Sequence, residues 1–383
     1  MQAIVFTCGV VVLLAWLGLL LFHGRFWQVS RLQAATSSAP SISETIAVVI
    51  PARNEANNIG RAVRSLLAQS CTEVLQIFVV DDNSTDGTAD AARAAVAGSD
   101  PQKLHIISGR PLPAGWTGKL WAVQQGIDAA LEANPHFLLL TDADVEHAQG
   151  NIATLVSIAE RDGYDLVSFM VKLHCHSLAE KPLIPAFVFF FFMLYPPLWI
   201  RSPKRKAAGA AGGCILIRPQ ALAFAGGIDS ISHEVIDDCA LARAVKRSGG
   251  RVWLGLTPHT HSFRPYESLG EIERMIARSA FNQLGHSLAL LIGAIVGMAL
   301  LYLLPLLLLC TRDAKLVALG AAAYVLMIVT YLPMVRFYGL GAGWALTLPL
   351  SAIFYIGATL DSAMKFWRGR GGEWKGRAQD RSS

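Results

Sequence analysis

Long uncharged apolar runs at both ends of the chain constrain its fold more than any other feature of the sequence. The first run covers residues 3–22, and about 20 apolar residues are enough to cross a bilayer as one helix. No basic stretch precedes it and no small-x-small cleavage signal follows it, so we predict a retained anchor rather than a cleaved signal peptide. The composition agrees, because 53% of the 383 residues are hydrophobic and 16% are charged.

The C-terminal part carries two more runs long enough to span, 287–309 and 316–335, and a shorter third at 344–360. His23, Arg25 and Arg31 follow the first run, so the positive-inside rule predicts a cytoplasmic domain after it. Three C-terminal spans would place the basic tail outside, against the same rule. The sequence therefore leaves two or three C-terminal spans open.

Between the apolar ends, short apolar runs typical of strands alternate with helical patterns. This alternation predicts an α/β domain with a mostly parallel sheet. The predicted strands lie at 45–51, 75–80, 104–107, 137–140 and 166–171, and the clearest predicted helices lie at 58–69 and 120–132. The predicted organisation is an anchor at 1–23, a linker at 24–44, an enzyme domain at 45–285, transmembrane helices at 286–362 and a basic tail at 363–383.

The apolar run at 137–140 stops at two carboxylates, Asp142 and Asp144. In an open α/β sheet, the carboxyl end of a buried strand borders the ligand crevice. Two hard oxygen ligands suit Mg²⁺ or Mn²⁺, which completes its shell with substrate phosphates and water. The alternative is a surface turn in which an Asp side chain caps backbone N–H groups. The position at a strand end favours a metal and nucleotide-diphosphate site.

Four ordered motifs resemble the family 2 inverting glycosyltransferases of the GT-A fold. They are Val-Ile-Pro-Ala-Arg-Asn-Glu at 49–55, Val-Val-Asp-Asp-Asn-Ser-Thr-Asp-Gly-Thr at 79–88, the segment 118–126 that begins Gly-Lys, and Thr-Asp-Ala-Asp at 141–144. The stretch Gly-Trp-Thr-Gly-Lys-Leu-Trp-Ala at 115–122, with the C-terminal apolar runs, is most similar to the hopanoid-biosynthesis-associated subgroup. Ceramide glucosyltransferases are the next most similar group.

The resemblance implies a bacterial inner-membrane enzyme that transfers a sugar, with inversion, from a nucleotide-diphosphate donor to a lipid, with a hopanoid as candidate acceptor. It also implies dependence on Mg²⁺ or Mn²⁺ and no nucleic-acid partner. The implied donor-site residues are Asp82 at the nucleotide base, Pro51, Arg53 and Glu55 in the same pocket, Lys119 near the diphosphate, Asp142 at the ribose and metal, and Asp144 on the metal.

A second acidic pair, Asp237 and Asp238, resembles the family's Glu-Asp helix start, with Asp237 in place of the usual Glu. The resemblance implies that Asp238 is the general base. A carboxylate within hydrogen-bond reach can take the proton that the acceptor hydroxyl loses as it attacks. The alternative is that both acids only face the dipole of a helix N-terminus.

Residues 271–275 resemble a degenerate form of the family's Q-x-x-R-W motif, from which Glu271 and Met275 depart. The motif marks processive members, so processive synthesis is not expected. Arg274 and Arg278 lie i, i+4 on a predicted helix and are candidates to hold the leaving diphosphate. Alternatively, they pair with acids on the same helix.

The apolar segment 181–201 contains a run of 9 to 14 residues, too short to span, and Pro182, Pro185, Pro196 and Pro197 are predicted to bound it. Arg201 and the basic residues 204–206 follow. We predict an interfacial or re-entrant segment near which a lipid acceptor would enter, with a buried core helix as the alternative.

Two other functions share parts of this pattern. A catalytically inactive membrane scaffold has no physical need to keep Asp82, Asp142, Asp144 and Asp238 together. A nucleotidyltransferase would share the sheet and the metal but would not explain the acidic pair at 237–238.

Overall fold

The computed structural model describes residues 2–33, 44–71, 74–369, 371–374 and 377–380. Residues 34–43 of the predicted linker at 24–44 lie outside these ranges. Its described part is not a bare linker, because it contains a short helix at Val29–Leu32 whose Leu32 is fully buried. The backbone of Gln33 also pairs with Leu256 of the enzyme domain.

The strands are β1 (Ile46–Ala52), β2 (Leu75–Asp81), β3 (Leu104–Ser108), β4 (Phe137–Thr141), β5 (Val145–His147), β6 (Leu166–Lys172), β7 (Cys214–Ile217), β8 (Val252–Ser262), β9 (Gly371–Trp374) and β10 (Arg377–Asp380). The helices are α1 (Gln2–Leu21), α2 (Val29–Leu32), α3 (Ala56–Leu67), α4 (Thr88–Ala94), α5 (Gly118–Leu131), α6 (Asn151–Asp162), α7 (Glu180–Leu194), α8 (Pro197–Arg201), α9 (Pro219–Phe224), α10 (Asp237–Arg247), α11 (Leu269–Ala277), α12 (Ala280–Gln283), α13 (Leu288–Met298), α14 (Leu304–Leu309), α15 (Ala314–Phe337) and α16 (Leu348–Trp367).

Strands β1 to β8 form one eight-stranded mixed sheet in the order β3-β2-β1-β4-β7-β6-β8-β5. The pairs β2–β3, β1–β2, β1–β4 and β6–β8 are parallel, whereas β7 and β5 run antiparallel to their neighbours. From β1 the chain continues to β2, which pairs with one edge of β1, and it later returns to β4, which pairs with the other edge of β1. This reversal is the topological switch point, where open α/β sheets bind ligands.

Both faces of the sheet are covered, which explains the continuous apolar runs. In β1, Ile46, Val48 and Ile50 join the core that includes α3 and α6, whereas Ala47 and Val49 join the core that includes α5 and α10. Alternate residues of a strand point to opposite faces, so a strand with two packed faces has no polar side. The predicted strands were confirmed within one residue at each end.

The core that includes α5 and α10 is continuous with the apolar helices at the chain ends. It contains Trp16 of α1, Tyr331 of α15 and Tyr355 of α16 together with residues of α5, α7 and α10. The predicted third C-terminal run is longer than expected, because α16 extends to Trp367. The enzyme domain and the helix bundle therefore share one apolar core.

Five helical stretches in the described ranges are long and apolar enough to cross a membrane. They are Gln2–Leu21, Glu180–Arg201, Leu288–Leu309, Ala314–Phe337 and Ala342–Trp367. The chain thus contains several apolar helices at its N- and C-terminal regions that could span a bilayer.

Pro182 and Pro185 were predicted to bound the short apolar run within 181–201, but they do not interrupt the helix that contains it. Helix α7 begins at Glu180, so Pro182 lies in its first turn, where no intrahelical N–H bond is lost, and Pro185 lies inside the helix. The carbonyl of Pro182 instead accepts a hydrogen bond of 2.8 Å from Ser351 Oγ of α16.

Helix α7 is largely buried between the sheet domain and the bundle. Its Phe189 ring packs 5.2 Å from that of Tyr331, and its Phe190 ring lies 4.9 Å from that of Tyr355, centroid to centroid. This burial fits the buried-helix alternative better than an interfacial helix with one solvated face.

Arg201, which was expected at a lipid head-group boundary, has its contacts within the protein. Its guanidinium stacks 4.1 Å from the ring centroid of Trp253 and donates a 2.8 Å hydrogen bond to the carbonyl of Leu254. Arg201 thus links α8 to β8.

Candidate functional site

A cavity of about 790 Å³ opens at the switch point of the sheet, beside the ends of β1 and β4. It is polar where the strands end and apolar where α7 forms its wall, and α11 contributes the apolar Met275 together with the charged Glu271 and Arg274. Of the predicted site residues, Pro51, Arg53, Glu55, Lys119, Asp142, Asp144, Asp238, Arg274 and Arg278 line this one cavity. Side chains that are far apart in the sequence are therefore brought together where the fold predicts a ligand.

The loop after β1 is tied to the loop after β2. It turns at Asn54, whose φ of 52° is a left-handed conformation that asparagine tolerates. Arg53 Nη1 donates a 2.6 Å hydrogen bond to the carbonyl of Asp82, and the Glu55 backbone N–H donates a 2.8 Å bond to Thr88 Oγ1. These bonds hold the Arg53 and Glu55 side chains at the rim of the cavity.

Asp82 lies behind this rim. Its residue is 1% exposed, and the part of the chain that the structure describes places Pro51, Arg53 and Glu55, but not Asp82, on the cavity wall. The Asp82 carboxylate lies 3.5 Å from Arg53 Nη1. A contact between Asp82 and a nucleotide base stays a prediction.

The carboxylates of Asp142 and Asp144 occupy the short turn between β4 and β5, and each faces a different cation. Asp142 Oδ1 lies 3.1 Å from Lys119 Nζ. Asp144 Oδ2 lies 3.3 Å from Arg264 Nε and accepts a hydrogen bond of the same length from Ser262 Oγ. Both carboxylates line the cavity.

Negative charge accumulates at this turn. Burial raises the pKa of Asp144, and the neighbouring charges of Asp142 and Glu55 raise it further, whereas Arg264 lowers it. A buried carboxylate crowded by other carboxylates gains from an added cation. The donor set is chemically suited to a hard divalent ion, since carboxylate oxygens are the ligands that Mg²⁺ and Mn²⁺ prefer.

Such an ion would be held by few protein ligands. Among the described residues, no group of three or more His, Cys, Asp or Glu side chains is arranged to hold a metal. Asp142 and Asp144 alone would leave most coordination positions to phosphate oxygens and water, as Mg²⁺ sites commonly do. The residues present therefore fit a cation that binds together with a diphosphate.

The second acidic pair lies at the start of α10, close to Lys119. Asp238 Oδ2 accepts a 2.8 Å hydrogen bond from the backbone N–H of Gly212, and Oδ1 accepts one of 2.7 Å from that of Cys239. Burial raises the pKa of Asp238 to about 6, Asp237 adds to the rise, and Lys119 opposes it. A carboxylate with this pKa is mostly ionised at neutral pH and is basic enough to accept a proton.

Lys119 connects the two acidic pairs. Its Nζ lies 3.1 Å from Asp142 and 3.2 Å from Asp237 Oδ2. Burial lowers the pKa of Lys119, but the charges of Asp142, Asp237 and Asp238 outweigh it and hold the pKa well above its ordinary value. Lys119 therefore stays an ammonium beside the cavity, as a diphosphate-binding residue must.

Gly212 lies beside both charged groups. A Cβ at Gly212 would lie 3.4 Å from both Asp238 Oδ2 and Lys119 Nζ, which is ordinary van der Waals contact. Gly212 also lines the cavity, so its backbone is available to a ligand there.

The remaining wall comes from helices. Phe187 and Phe191 of α7 line the cavity together with Leu173 and with Met275 of α11. Tyr266 joins them and donates a hydrogen bond of 2.9 Å to the Met275 sulfur. An apolar wall of this kind favours a hydrophobic ligand.

Arg274 and Arg278 stand on the same wall. Arg274 Nη2 lies 3.9 Å from Glu271 Oε1 three residues earlier, a loose and exposed ion pair that contributes little stability. The structure thus shows that Arg274 can both pair on its own helix and face the cavity. Contact of Arg274 and Arg278 with a leaving diphosphate stays a prediction.

Sequence reasoning missed Arg264, which faces both Glu55 and Asp144. It follows β8, a strand of 11 residues whose second half, Thr-Pro-His-Thr-His-Ser, is polar and hides the strand pattern. The signal available in the sequence was the apolar first half at 252–256, which predicts a strand with a polar continuation towards the sheet edge.

Comparison with known proteins gives this domain a family. Residues 47–224 match the family model described as Glycosyl transferase family 2. This part of the chain is a family 2 glycosyltransferase domain. Its fold is GT-A, since the chain is similar to the mannosyltransferase PcManGT from Pyrobaculum calidifontis, solved with GDP-Man and Mn²⁺. That likeness has a TM-score of 0.55 at 17% identity and covers 94% of this chain and 98% of the other.

Curated relatives of the glycosyltransferase domain match over part of their lengths. The chain is 25% identical over 229 residues to 4,4'-diaponeurosporenoate glycosyltransferase of Staphylococcus haemolyticus, covering 59% of this chain and 58% of that protein. It is 27% identical over 138 residues to undecaprenyl-phosphate 4-deoxy-4-formamido-L-arabinose transferase of Yersinia enterocolitica, covering 36% and 39%. The chain therefore spans about half the length of the relatives it matches.

Proposed function

We propose that this protein transfers a sugar, with inversion, from a nucleotide-diphosphate donor to a membrane lipid. The observation that carries the proposal is the single cavity with two unlike halves. The donor half is formed by Pro51, Arg53, Glu55, Asp142 and Asp144, and the acceptor half by Leu173, Phe187, Phe191, Tyr266 and Met275. A charged donor and an apolar acceptor can meet in one cavity only where both surfaces face it.

In the donor half, Arg53 and Glu55 border the space for the nucleotide, and Lys119 provides positive charge for the diphosphate. A divalent cation held by Asp144 and Asp142 would offset the charge of the departing diphosphate. The PcManGT structure, with its nucleotide-sugar and Mn²⁺, supports this assignment by analogy of fold.

At the border of the two halves, Asp238 serves as the general base. The acceptor hydroxyl oxygen attacks the anomeric carbon, the bond from that carbon to the diphosphate oxygen breaks, and the proton of the hydroxyl passes to Asp238. A single displacement inverts the anomeric configuration and needs one carboxylate, unlike the carboxylate pair of glycosidases. Asp237 pairs with Lys119 and so positions the ammonium.

A hopanoid is our candidate acceptor. Support comes from the apolar wall built by α7 and α11 and from the resemblance of 115–122 to the hopanoid-associated subgroup. One relative is named as an undecaprenyl-phosphate transferase, which fits the broader class of lipid acceptors. A rigid, apolar ring system with a hydroxyl at one end would suit a pocket lined by aromatic side chains.

The test uses the full chain in detergent with labelled nucleotide-sugars and with hopanoid and ceramide-like acceptors, and with Asp238→Asn as the control. We expect one donor and one acceptor class to give a glycolipid with release of nucleoside diphosphate. Release of pyrophosphate would identify a nucleotidyltransferase instead. Donor binding without turnover of any acceptor would favour the scaffold.

We also propose that the protein lies in the bacterial inner membrane with its enzyme domain in the cytoplasm. Arg25 and Arg31 directly after α1 support this orientation. A cysteine placed at the exposed Asp90 of α4, in a cysteine-free background, should resist an impermeant maleimide in intact cells and react after lysis. Ready labelling of intact cells would reverse the orientation.

A further inference from the structure

Arg264 bridges two carboxylates that belong to different loops of the donor half. Its Nη2 lies 2.5 Å from Glu55 Oε1, in the loop after β1, and its Nε lies 3.3 Å from Asp144 Oδ2, in the turn after β4. Both carboxylates line the cavity, and the guanidinium lies at its wall. One side chain thus closes the space in which Asp144 would meet a metal.

The backbone fixes Arg264 at this place. Strand β8 pairs antiparallel with β5, so that Ser262 lies opposite Val145. The Phe263 N–H donates a 3.2 Å hydrogen bond to the Asp144 carbonyl, and Ser262 Oγ donates to the Asp144 carboxylate. Two residues after Arg264, the Tyr266 N–H donates a 2.8 Å hydrogen bond to the buried carboxylate of Glu180. The segment that carries Arg264 is held at both ends.

The charges of the donor half explain what the guanidinium does there. Lys119 is already shared between Asp142 and Asp237, so the positive charge that faces Asp144 and Glu55 is that of Arg264. A divalent cation on Asp144 would compete with the guanidinium for the negative charge of this carboxylate and would repel the guanidinium electrostatically. Binding of the metal would therefore weaken the contact between Arg264 and Asp144.

We propose that Arg264 is a positioning residue. In the absence of the metal its guanidinium pairs with the Asp144 carboxylate, and it does so until the donor arrives. When the cation binds, the guanidinium leaves Asp144 but keeps Glu55, and it then faces the incoming diphosphate. Metal and nucleotide thereby assist one another, because the nucleotide provides the displaced arginine with a new anionic partner. This inference rests on the proposed function, since it requires the cation site at Asp142 and Asp144.

The coupling between metal and nucleotide is a measurable quantity. Two ligands that favour the same state raise each other's affinity by the same factor, typically about 5- to 150-fold. We expect the wild-type protein to bind Mn²⁺ weakly alone and at least about tenfold more tightly with UDP or GDP present. This coupling can be read without turnover, by calorimetry or by the electron paramagnetic resonance signal of free Mn²⁺.

The decisive variant is Arg264→Gln, in the full chain in detergent. Without the competing guanidinium, Mn²⁺ alone should bind about tenfold more tightly than to the wild type. The enhancement by nucleoside diphosphate should shrink by about the same factor, and the part that comes from phosphate oxygens on the metal should remain. Arg264→Lys keeps the charge and should restore much of the wild-type coupling. Arg93→Gln, which removes an exposed arginine paired with Asp90 on α4, is the matched control and should change neither quantity.

The outcomes separate the two proposals. Equal Mn²⁺ affinity and equal enhancement in the wild type and Arg264→Gln would overturn the role of Arg264 and leave the donor site standing. No Mn²⁺ binding in either protein, with or without nucleotide, would overturn the cation site and this inference with it. Thermal unfolding of each variant shows whether a loss of affinity reflects a loss of fold.

Discussion

The donor half and the acceptor half of the cavity are built in different ways. In the donor half, charged side chains extend from short loops at strand ends, and each is held by an opposite charge or a backbone N–H, as Asp144 is by Arg264. In the acceptor half, apolar side chains extend from α7 and, with Met275, from α11, and both helices are packed against other helices. The donor half is thus specified by ion pairs, and the acceptor half by packing.

The largest effect is expected from a substitution that disrupts the donor half. Asp144→Ala removes the carboxylate proposed to bind the cation, which contributes several kcal/mol of charge stabilisation, so donor affinity and turnover should fall together by about 10³-fold or more. Calorimetry with a nucleoside diphosphate and Mn²⁺ measures the affinity, and chelation of the metal in the wild type should reproduce the loss. Tight binding that survives both treatments would show that no metal is needed.

The next effect separates chemistry from binding at the border of the two halves. Asp238→Asn keeps the size of the side chain but removes its basicity, so turnover should fall by about 10²–10⁴-fold while donor affinity hardly changes. Turnover and donor binding are measured side by side with Asp144→Asn, which should harm both. Near-native turnover of Asp238→Asn would move the base to Asp237 or Glu234.

A pH profile sharpens the same point. Burial and the charge of Asp237 raise the pKa of Asp238 to about 6, and the base works only as the carboxylate. Below about pH 6, kcat/KM should therefore fall by about tenfold per pH unit, and it should level off above that value. In Asp238→Asn the residual activity should no longer fall in this way below about pH 6. If the same fall persists in the variant, the titrating group is not Asp238.

The smallest expected effect tests the acceptor half. Phe191→Ala removes a partly buried ring from the cavity wall, so the KM for a lipid acceptor should rise by about tenfold with donor affinity unchanged. Phe224→Ala is the matched control, because Phe224 is 80% exposed and does not line the cavity. Equal effects of the two substitutions would show that the acceptor does not contact α7.

The same contrast explains how much could be predicted from the sequence. The donor half follows from local patterns, because a buried strand that ends in Asp142 and Asp144 fixes where its carboxylates emerge. Arg264 escaped prediction because its partners, Glu55 and Asp144, lie more than 100 positions away and the polar half of β8 hides the strand. The burial of α7 could be predicted only as an alternative, because packing against α15 and α16 is a tertiary property that composition does not reveal.

Helix α7 has two contact surfaces. Phe187 and Phe191 line the cavity, whereas Phe189 and Phe190 pack against tyrosines of the bundle. A soluble fragment that ends before α13 would lose the packing partners of this helix and, with them, one wall of its own cavity. The minimal working unit is therefore the enzyme domain together with its bundle. If a lipid is the acceptor, as proposed, the position of α7 among those helices determines how far its hydroxyl must extend to contact Asp238.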